Sequence, residues 1–155
     1  MKSMTSKIHP GAAKSAMRHV RKALWGHIRQ LQREADDAFS RDFPGFVAAV
    51  EAGLRHEETI LEALGYRCLH ERRAENAMIL CALHRVAPSV EQGSVKVGRQ
   101  IAAALGDALA LHRLADCPAL ADGPAASRLR RRAARLRCLA FPKRLRHLRH
   151  LRQRP

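Results

Sequence analysis

Aromatic residues are scarce in this chain, which has one Trp, one Tyr and four Phe among its 155 residues. The chain also lacks the alternation of apolar and polar residues that is typical of half-buried strands. No pair of short apolar runs is joined by a tight hairpin turn. These absences argue against a β-sheet fold and leave an all-α fold as the prediction.

Long apolar runs are missing as well. No stretch approaches the roughly 20 apolar residues that a membrane-spanning helix needs. The N-terminal stretch has basic residues but no continuous apolar core, so it does not resemble a signal peptide. The four cysteines form no CxxC pair, which favours reduced thiols over disulfides or a zinc site. We therefore expect a cytoplasmic protein without a transmembrane segment.

The sequence also lacks the motifs of common catalytic sites. It contains no phosphate-binding glycine loop, no nucleophile elbow and no cofactor motif. The adjacent carboxylates Glu57 and Glu58 are too common a pair to indicate catalysis. We therefore predict that the chain is not an enzyme.

Acidic residues are absent from residues 123–155, which hold 12 Lys and Arg. Residues 1–122 hold the other 17 Lys and Arg and all 14 Asp and Glu. The charge of +15 therefore comes mainly from the C-terminal part. We predict two regions, a body at 1–122 and a basic Arg/Leu-rich tail at 123–155, either helical or disordered.

Apolar residues recur at steps of three and four along the body, which indicates amphipathic helices. The expected helices cover residues 13–40, 45–64, 69–86 and 97–116, with breaks at Pro44-Gly45, Gly65 and Pro88. Four helices with short or moderate connections predict an antiparallel up-down four-helix bundle.

Ionisable residues fall on the expected inward faces of three of these helices. They are His27, Glu57, His112 and Asp116. Carboxylates and imidazoles from different helices of a bundle are the ligands of carboxylate-bridged iron sites. These four residues are therefore the candidate metal ligands.

Residues 46–120 also resemble the hemerythrin family of oxygen-binding and oxygen-sensing four-helix bundles. Glu57-Glu58 followed by Gly65-Tyr66 matches the helix-two motif of that family and its turn. His112 with Asp116 resembles the final ligand pair, and His27 is the candidate on helix one. The resemblance implies iron as cofactor, with dioxygen as a possible ligand.

Three family histidine positions hold other residues here, namely Gly53, Arg72 and Asn76. The nearby His56 and His70 are displaced from those positions. The family uses five histidines and two carboxylates for two irons, so the implied site is incomplete. Two interpretations follow: the four remaining candidates hold a single metal ion, or Arg72 replaces the metal and pairs with Glu57 or Asp116.

The basic tail has several interpretations. A basic amphipathic segment suits an acidic partner, an anionic membrane surface or nucleic acid. The alternative function is therefore a metal-free helical interaction module that binds through its tail. The tail is also consistent with a solvated charged segment, or with GC-rich coding sequence translated out of frame after a frameshift.

Overall fold

The computed structural model describes residues 10–115 and 123–140, and in these ranges the chain folds into helices joined by short connections. The helices are α1 (Pro10–Arg33), α2 (Asp36–Ala63), α3 (Leu69–Glu91), α4 (Val95–Ala115) and α5 (Pro124–Ala140). No strand occurs in the described ranges, so the predicted all-α class is confirmed. None of the described helices is long and apolar enough to cross a membrane.

The predicted break between the first two helices at residues 41–45 is wrong, because the boundary between α1 and α2 lies earlier in the chain. α1 ends at Arg33, and Ala35 precedes α2 with an extended backbone, φ −63° and ψ 159°. Asp36 and Asp37 then place two carboxylates in the first turn of α2. Negative charge there is favoured by the helix dipole. The acidic pair, and not Pro44, is thus the signal for the helix boundary.

Arg99 of α4 stabilises the corner between α1 and α2. Its guanidinium donates to the carbonyl oxygens of Gln32 (3.0 Å) and Glu34 (2.6 Å) and to Asp36 Oδ1 (2.9 Å). The same group lies over the Phe39 ring, 4.6 Å from its centroid. Carbonyls at a helix end have no partner within the helix. Arg99 therefore satisfies the end of α1 and ties this corner to α4.

Two prolines lie inside helices and do not end them as predicted. Pro44 lies within α2, and Pro88 lies within α3, which continues to Glu91 instead of ending near residue 86. A proline removes one helical hydrogen bond, but apolar burial next to it can offset that loss. Phe43, which precedes Pro44, and Val90, which lies two residues after Pro88, are both fully buried.

The turn after α2 matches the sequence prediction. Gly65 has φ 64°, in the left-handed region where a residue without Cβ is favoured. The N–H of Tyr66 donates to the Leu61 carbonyl, and the N–H of Gly65 donates to the Glu62 carbonyl, both at 3.0 Å. This pattern is a Schellman motif. The predicted helix end at Gly65 is confirmed.

Helices α1 to α4 share one apolar core. α1 packs on α2, α2 on α3, α3 on α4, and α4 also contacts α1 and α2. The largest fully buried apolar side chains come from all four helices and include Leu24, Phe39, Phe43, Leu54, Leu83, Ile101 and Leu105. Burial of these side chains is the main stabilising term of such a fold.

The basic tail contributes a fifth helix to this packing. α5 lies against α3 and α4 and buries Ala126 and Leu136. The first part of the predicted tail is therefore helical and packed, and its residues 141–155 lie outside the described ranges. Cys68, Cys81 and Cys138 are exposed.

Gly98 marks a point where α4 approaches its neighbours closely. An added Cβ would lie 2.5 Å from Phe39 Cε1 and 2.9 Å from Val90 Cγ2. We expect Gly98→Ala to lower the free energy of unfolding by up to about 2 kcal/mol. Overpacking costs about 1–3 kcal/mol, and the better helix propensity of alanine offsets about 1 kcal/mol of it. Urea denaturation measures the difference.

Gly45→Ala is the matched control. Gly45 lies within α2, and an added Cβ there would meet nothing within 4 Å. We expect this variant to raise the free energy of unfolding by about 0.5–1 kcal/mol, because only backbone entropy changes. A Gly98→Ala variant as stable as Gly45→Ala would contradict the tight approach.

Candidate functional site

Buried polar residues of the described ranges gather where the end of α2, the beginning of α3 and the end of α4 meet. They are Glu57, Arg72, Asn76 and His112. Each extends the apolar stripe of its own helix at steps of three or four, as Leu54 to Glu57 and Leu105 to Leu109 to His112 illustrate. Helix geometry therefore carries these polar side chains into the core.

The carboxylate of Glu57 is the centre of this cluster, and its side chain has no solvent exposure. Glu57 Oε1 accepts hydrogen bonds from Arg21 Nε (3.2 Å) and Nη2 (2.9 Å) on α1. The same oxygen accepts from Arg72 Nη1 on α3 at 3.1 Å. A buried carboxylate is costly unless it is paired and hydrogen-bonded. Two guanidinium groups from two helices provide that pairing.

Arg72 itself bridges two carboxylates. Its side chain is 4% exposed, and its Nε lies 3.8 Å from Glu75 Oε2. Its guanidinium also lies 6.0 Å from the centroid of the Tyr66 ring, at the limit of a cation–π contact. These contacts place Arg72 against Glu57, as the ion-pair interpretation expects.

Glu75 and His112 form a second pair beside the first. His112 Nε2 lies 3.1 Å from Glu75 Oε2. The hydrogen bond from His112 lowers the pKa of the Glu75 carboxyl, although partial burial acts in the opposite direction. The positive charges of Arg72 and Arg137 lower this pKa further. Glu75 is therefore held in its ionised form, with His112 Nε2 as the donor.

His112 presents its other ring nitrogen to Glu57. Nδ1 lies 3.9 Å from Glu57 Oε2, and among the described residues neither atom has a hydrogen-bond partner. Nε2, which faces the Glu75 carboxylate, is therefore the ring nitrogen that donates.

The second carboxylate of the helix-two motif has a different environment. Glu58 Oε1 accepts from Asn76 Nδ2 at 2.8 Å, and Glu58 Oε2 lies 3.7 Å from Arg73 Nε. Asn76 occupies a family histidine position in the resemblance. Its amide donates to a carboxylate, which a lone-pair nitrogen ligand cannot do.

The structure brings together two of the four predicted metal ligands. Glu57 and His112 meet in the buried cluster. His27 is exposed on α1, so its predicted inward position is wrong. The buried apolar stripe of α1 passes from Leu24 directly to Ile28, and His27 lies beside it. Asp116 lies outside the described residues.

Gly53 lies at one position where the hemerythrin resemblance would place a histidine. An added Cβ there would lie 2.6 Å from Leu24 Cδ2 and 3.0 Å from Leu24 Cγ. Leu24 is 1% exposed and belongs to the α1–α2 interface. A histidine at position 53 would have to displace this side chain. The nearby His56 and His70 are both exposed and do not compensate.

Arg21 is central to the cluster but is absent from the predicted site residues. The helical spacing of α1 does indicate an inward position for this residue. Steps of four, three and four residues join Met17, Arg21, Leu24 and Ile28 on one face. Glu75 is likewise absent from the predicted site, although it lies one helical turn after Arg72.

The assembled donors do not fit the iron site that the resemblance implies. No group of three or more His, Cys, Asp or Glu among the described residues is arranged to hold a metal ion. One oxygen of Glu57 already faces two guanidinium groups, which stay protonated and repel a cation.

Comparison with known proteins found no matching family model, no matching curated protein and no matching solved structure. The hemerythrin resemblance therefore rests on the residues of this chain alone.

Glu57→Gln tests whether the carboxylate charge holds the cluster together. We expect the variant to lower the free energy of unfolding by about 3–5 kcal/mol, because the amide cannot neutralise the two guanidinium charges beside it. Denaturant unfolding followed by circular dichroism measures the change.

Glu62→Gln is the control on the same helix. Glu62 Oε2 accepts from Arg73 Nη2 at 2.9 Å, but both side chains are about half exposed. We expect a decrease of no more than about 1 kcal/mol for such a surface pair. Equal decreases for the two variants would contradict the central role of Glu57.

Proposed function

We propose that this protein is a metal-free helical binding module, in which arginine side chains hold the place that iron has in the hemerythrin family. The observation that carries the proposal is the hydrogen bonding of Arg21 and Arg72 to the same oxygen of the buried Glu57. A divalent ion would have to displace one of these fixed charges. The polar cluster then orients the helices and binds no cofactor.

We also propose that α1 to α4 form an antiparallel up-down bundle. Arg21, halfway along α1, meets Glu57 near the end of α2. The same Glu57 meets the beginning of α3 at Arg72 and the end of α4 at His112. At the opposite ends, Arg99 near the beginning of α4 contacts the end of α1 and the beginning of α2. This alternation supports the up-down order.

The proposed binding surface is the exposed face of α5. The helix has six arginines and no acidic residue. Arg128, Arg131, Arg132 and Arg135 are exposed, and Arg132 Nη1 lies 3.8 Å from Asp107 Oδ1 on α4. The opposite face packs on α3 and α4 through Ala126 and Leu136. Packing therefore fixes a row of positive charge on the outside of the protein.

The chemistry of α5 favours an acidic partner that is recognised by charge. Insertion into a membrane needs a free apolar face, and the buried Leu136 is already part of the core. α5 has no aromatic residue on which a base can stack. Arginine instead suits phosphate or carboxylate groups, which it contacts in pairs of hydrogen bonds. A polyanion such as duplex nucleic acid or an acidic protein segment fits this surface.

Iron content tests the metal-free proposal. We expect the full chain, produced with iron in excess, to retain far less than one iron per chain after dialysis, because guanidinium groups occupy the carboxylate. Elemental analysis measures this. Stoichiometric iron in the folded protein would overturn the proposal.

The converse variant tests the resemblance itself. Arg72→His together with Asn76→His removes one guanidinium and adds two imidazoles beside Glu57, Glu58 and His112. We expect this variant to bind cobalt(II), with a visible absorption that the native chain does not give. A folded double variant without this absorption would show that the family positions are wrongly assigned.

Salt-dependent binding tests the basic surface. We expect the full chain to bind duplex DNA and polyglutamate. Replacing Arg128, Arg131, Arg132 and Arg135 by Gln should weaken this binding. For DNA, the slope of log affinity against log salt should become shallower by about 0.9 for each phosphate that the variant no longer neutralises. Fluorescence anisotropy over a salt series measures both.

The matched control removes the same charge from another surface. Lys14, Arg18, Lys22 and Arg29 are exposed on α1. Their replacement by Gln should leave most of the affinity and slope unchanged. Equal weakening in the two quadruple variants would show that net charge alone, and not the α5 surface, attracts polyanions.

A further inference from the structure

A cavity of about 410 Å³ lies between α3, α4 and α5, next to the polar cluster. Small-molecule sites in proteins have volumes of about 300–1,000 Å³. The cavity is distinct from the proposed polyanion surface, because Arg128, Arg131, Arg132 and Arg135 do not line it.

Most of the cavity wall is apolar and comes from all three helices. α3 contributes Met78 and Ile79, α4 contributes Leu111, and α5 contributes Ala133 and Leu136. Leu136 and Ile79 are buried, and Met78 and Ala133 are half-buried against the core. Such walls favour an aliphatic body of a ligand through the hydrophobic effect.

The polar side chains of the lining include more basic than acidic groups. Arg130 and Arg137 of α5 line the cavity, together with His112 and one carboxylate, that of Glu75. The Glu75 carboxylate is already hydrogen-bonded to His112, and the charge of Arg137 lowers its pKa. Because the arginines of the lining outnumber its carboxylates, a ligand with a negative group complements this cavity.

We propose that this cavity binds a small organic anion with an aliphatic body, of the class of medium-chain carboxylates. The chain lies among Ile79, Leu111 and Leu136, and the carboxylate lies near Arg137. Ligand and apolar wall exclude water, and the guanidinium supplies a charge-assisted hydrogen bond. This assignment goes beyond the proposed function and does not depend on the partner of the arginine surface.

The ligand would connect α5 to the body. It would contact α3, α4 and α5 at the same time. It would therefore bind the conformation in which α5 packs on α3 and α4 more tightly than a conformation in which α5 has moved away. Binding to the native state alone raises its stability by mass action. Saturation with the ligand should therefore raise the melting temperature of the full chain.

Calorimetric titration of the full chain tests the proposal with decanoate as the probe. We expect saturable one-to-one binding of decanoate and about tenfold weaker binding of decanol, which has the same chain without the charge. Hexanoate and hexadecanoate report the length that the cavity accepts. No saturable binding of any carboxylate to the folded chain would overturn the proposal.

Charge reversal at the rim tests the assigned anchor. Arg137 is exposed, so Arg137→Glu should fold as the native chain does. We expect it to weaken decanoate about tenfold and to strengthen decylammonium. Arg113→Glu is the matched control, because Arg113 is exposed on α4 and belongs neither to the cavity lining nor to the proposed polyanion surface. An equal decrease of decanoate affinity in both variants would overturn the assignment of Arg137.

Filling the cavity tests its location. Ala133→Phe places a ring in the lining and should abolish decanoate binding while circular dichroism remains unchanged. Full decanoate affinity in a folded Ala133→Phe variant would place the ligand elsewhere and overturn the proposal. Should this variant fail to fold, the Arg137→Glu result decides alone.

Discussion

Charge neutralisation of one buried carboxylate constrains the arrangement of the helices. Glu57 reaches the core because its place on the α2 stripe follows Leu54, and it has no exposure to water there. Such a charge must meet counter-charges, and Arg21 and Arg72 supply them from α1 and α3. Hydrogen bonds restrict direction as well as distance, so the carboxylate fixes the rotation of these helices about their axes. A purely apolar contact would tolerate more variation.

The same neutralisation is the basis of the proposal that this cluster holds no metal. Iron and guanidinium groups satisfy a buried carboxylate in alternative ways, since each supplies positive charge at the oxygen atoms. Arginine does so permanently because it does not lose its proton under ordinary conditions. Two residues at positions that the hemerythrin resemblance assigns to imidazoles make other contacts: Gly53 lies against Leu24, and Asn76 donates to Glu58.

α5 connects the separate features of the molecule. Its inner face covers the cavity beside Glu75 and His112, and its outer face carries the exposed arginines. Glu75 belongs to both neighbourhoods, since it pairs with His112 and lies within the electrostatic reach of Arg72 and Arg137. The position of α5 on α3 and α4 can therefore influence the cluster, the cavity and the basic surface together. A tail that extends freely from the body would have no such connection.

The sequence by itself determined the all-α class, the turn at Gly65-Tyr66 and the burial of Glu57 and His112. Each of these follows from short-range spacing, because helix periodicity decides which side chains share a face. The sequence pattern placed the α1–α2 boundary at Pro44, whereas the boundary lies at Asp36-Asp37. The pattern also placed His27 on the inward face, where Ile28 lies instead. Only the tertiary structure decided that Arg21 reaches Glu57, that Glu75 holds His112, and that α5 packs on the body. Those contacts join residues far apart in sequence, and their formation depends on which helices meet and at what rotation, which no local pattern specifies.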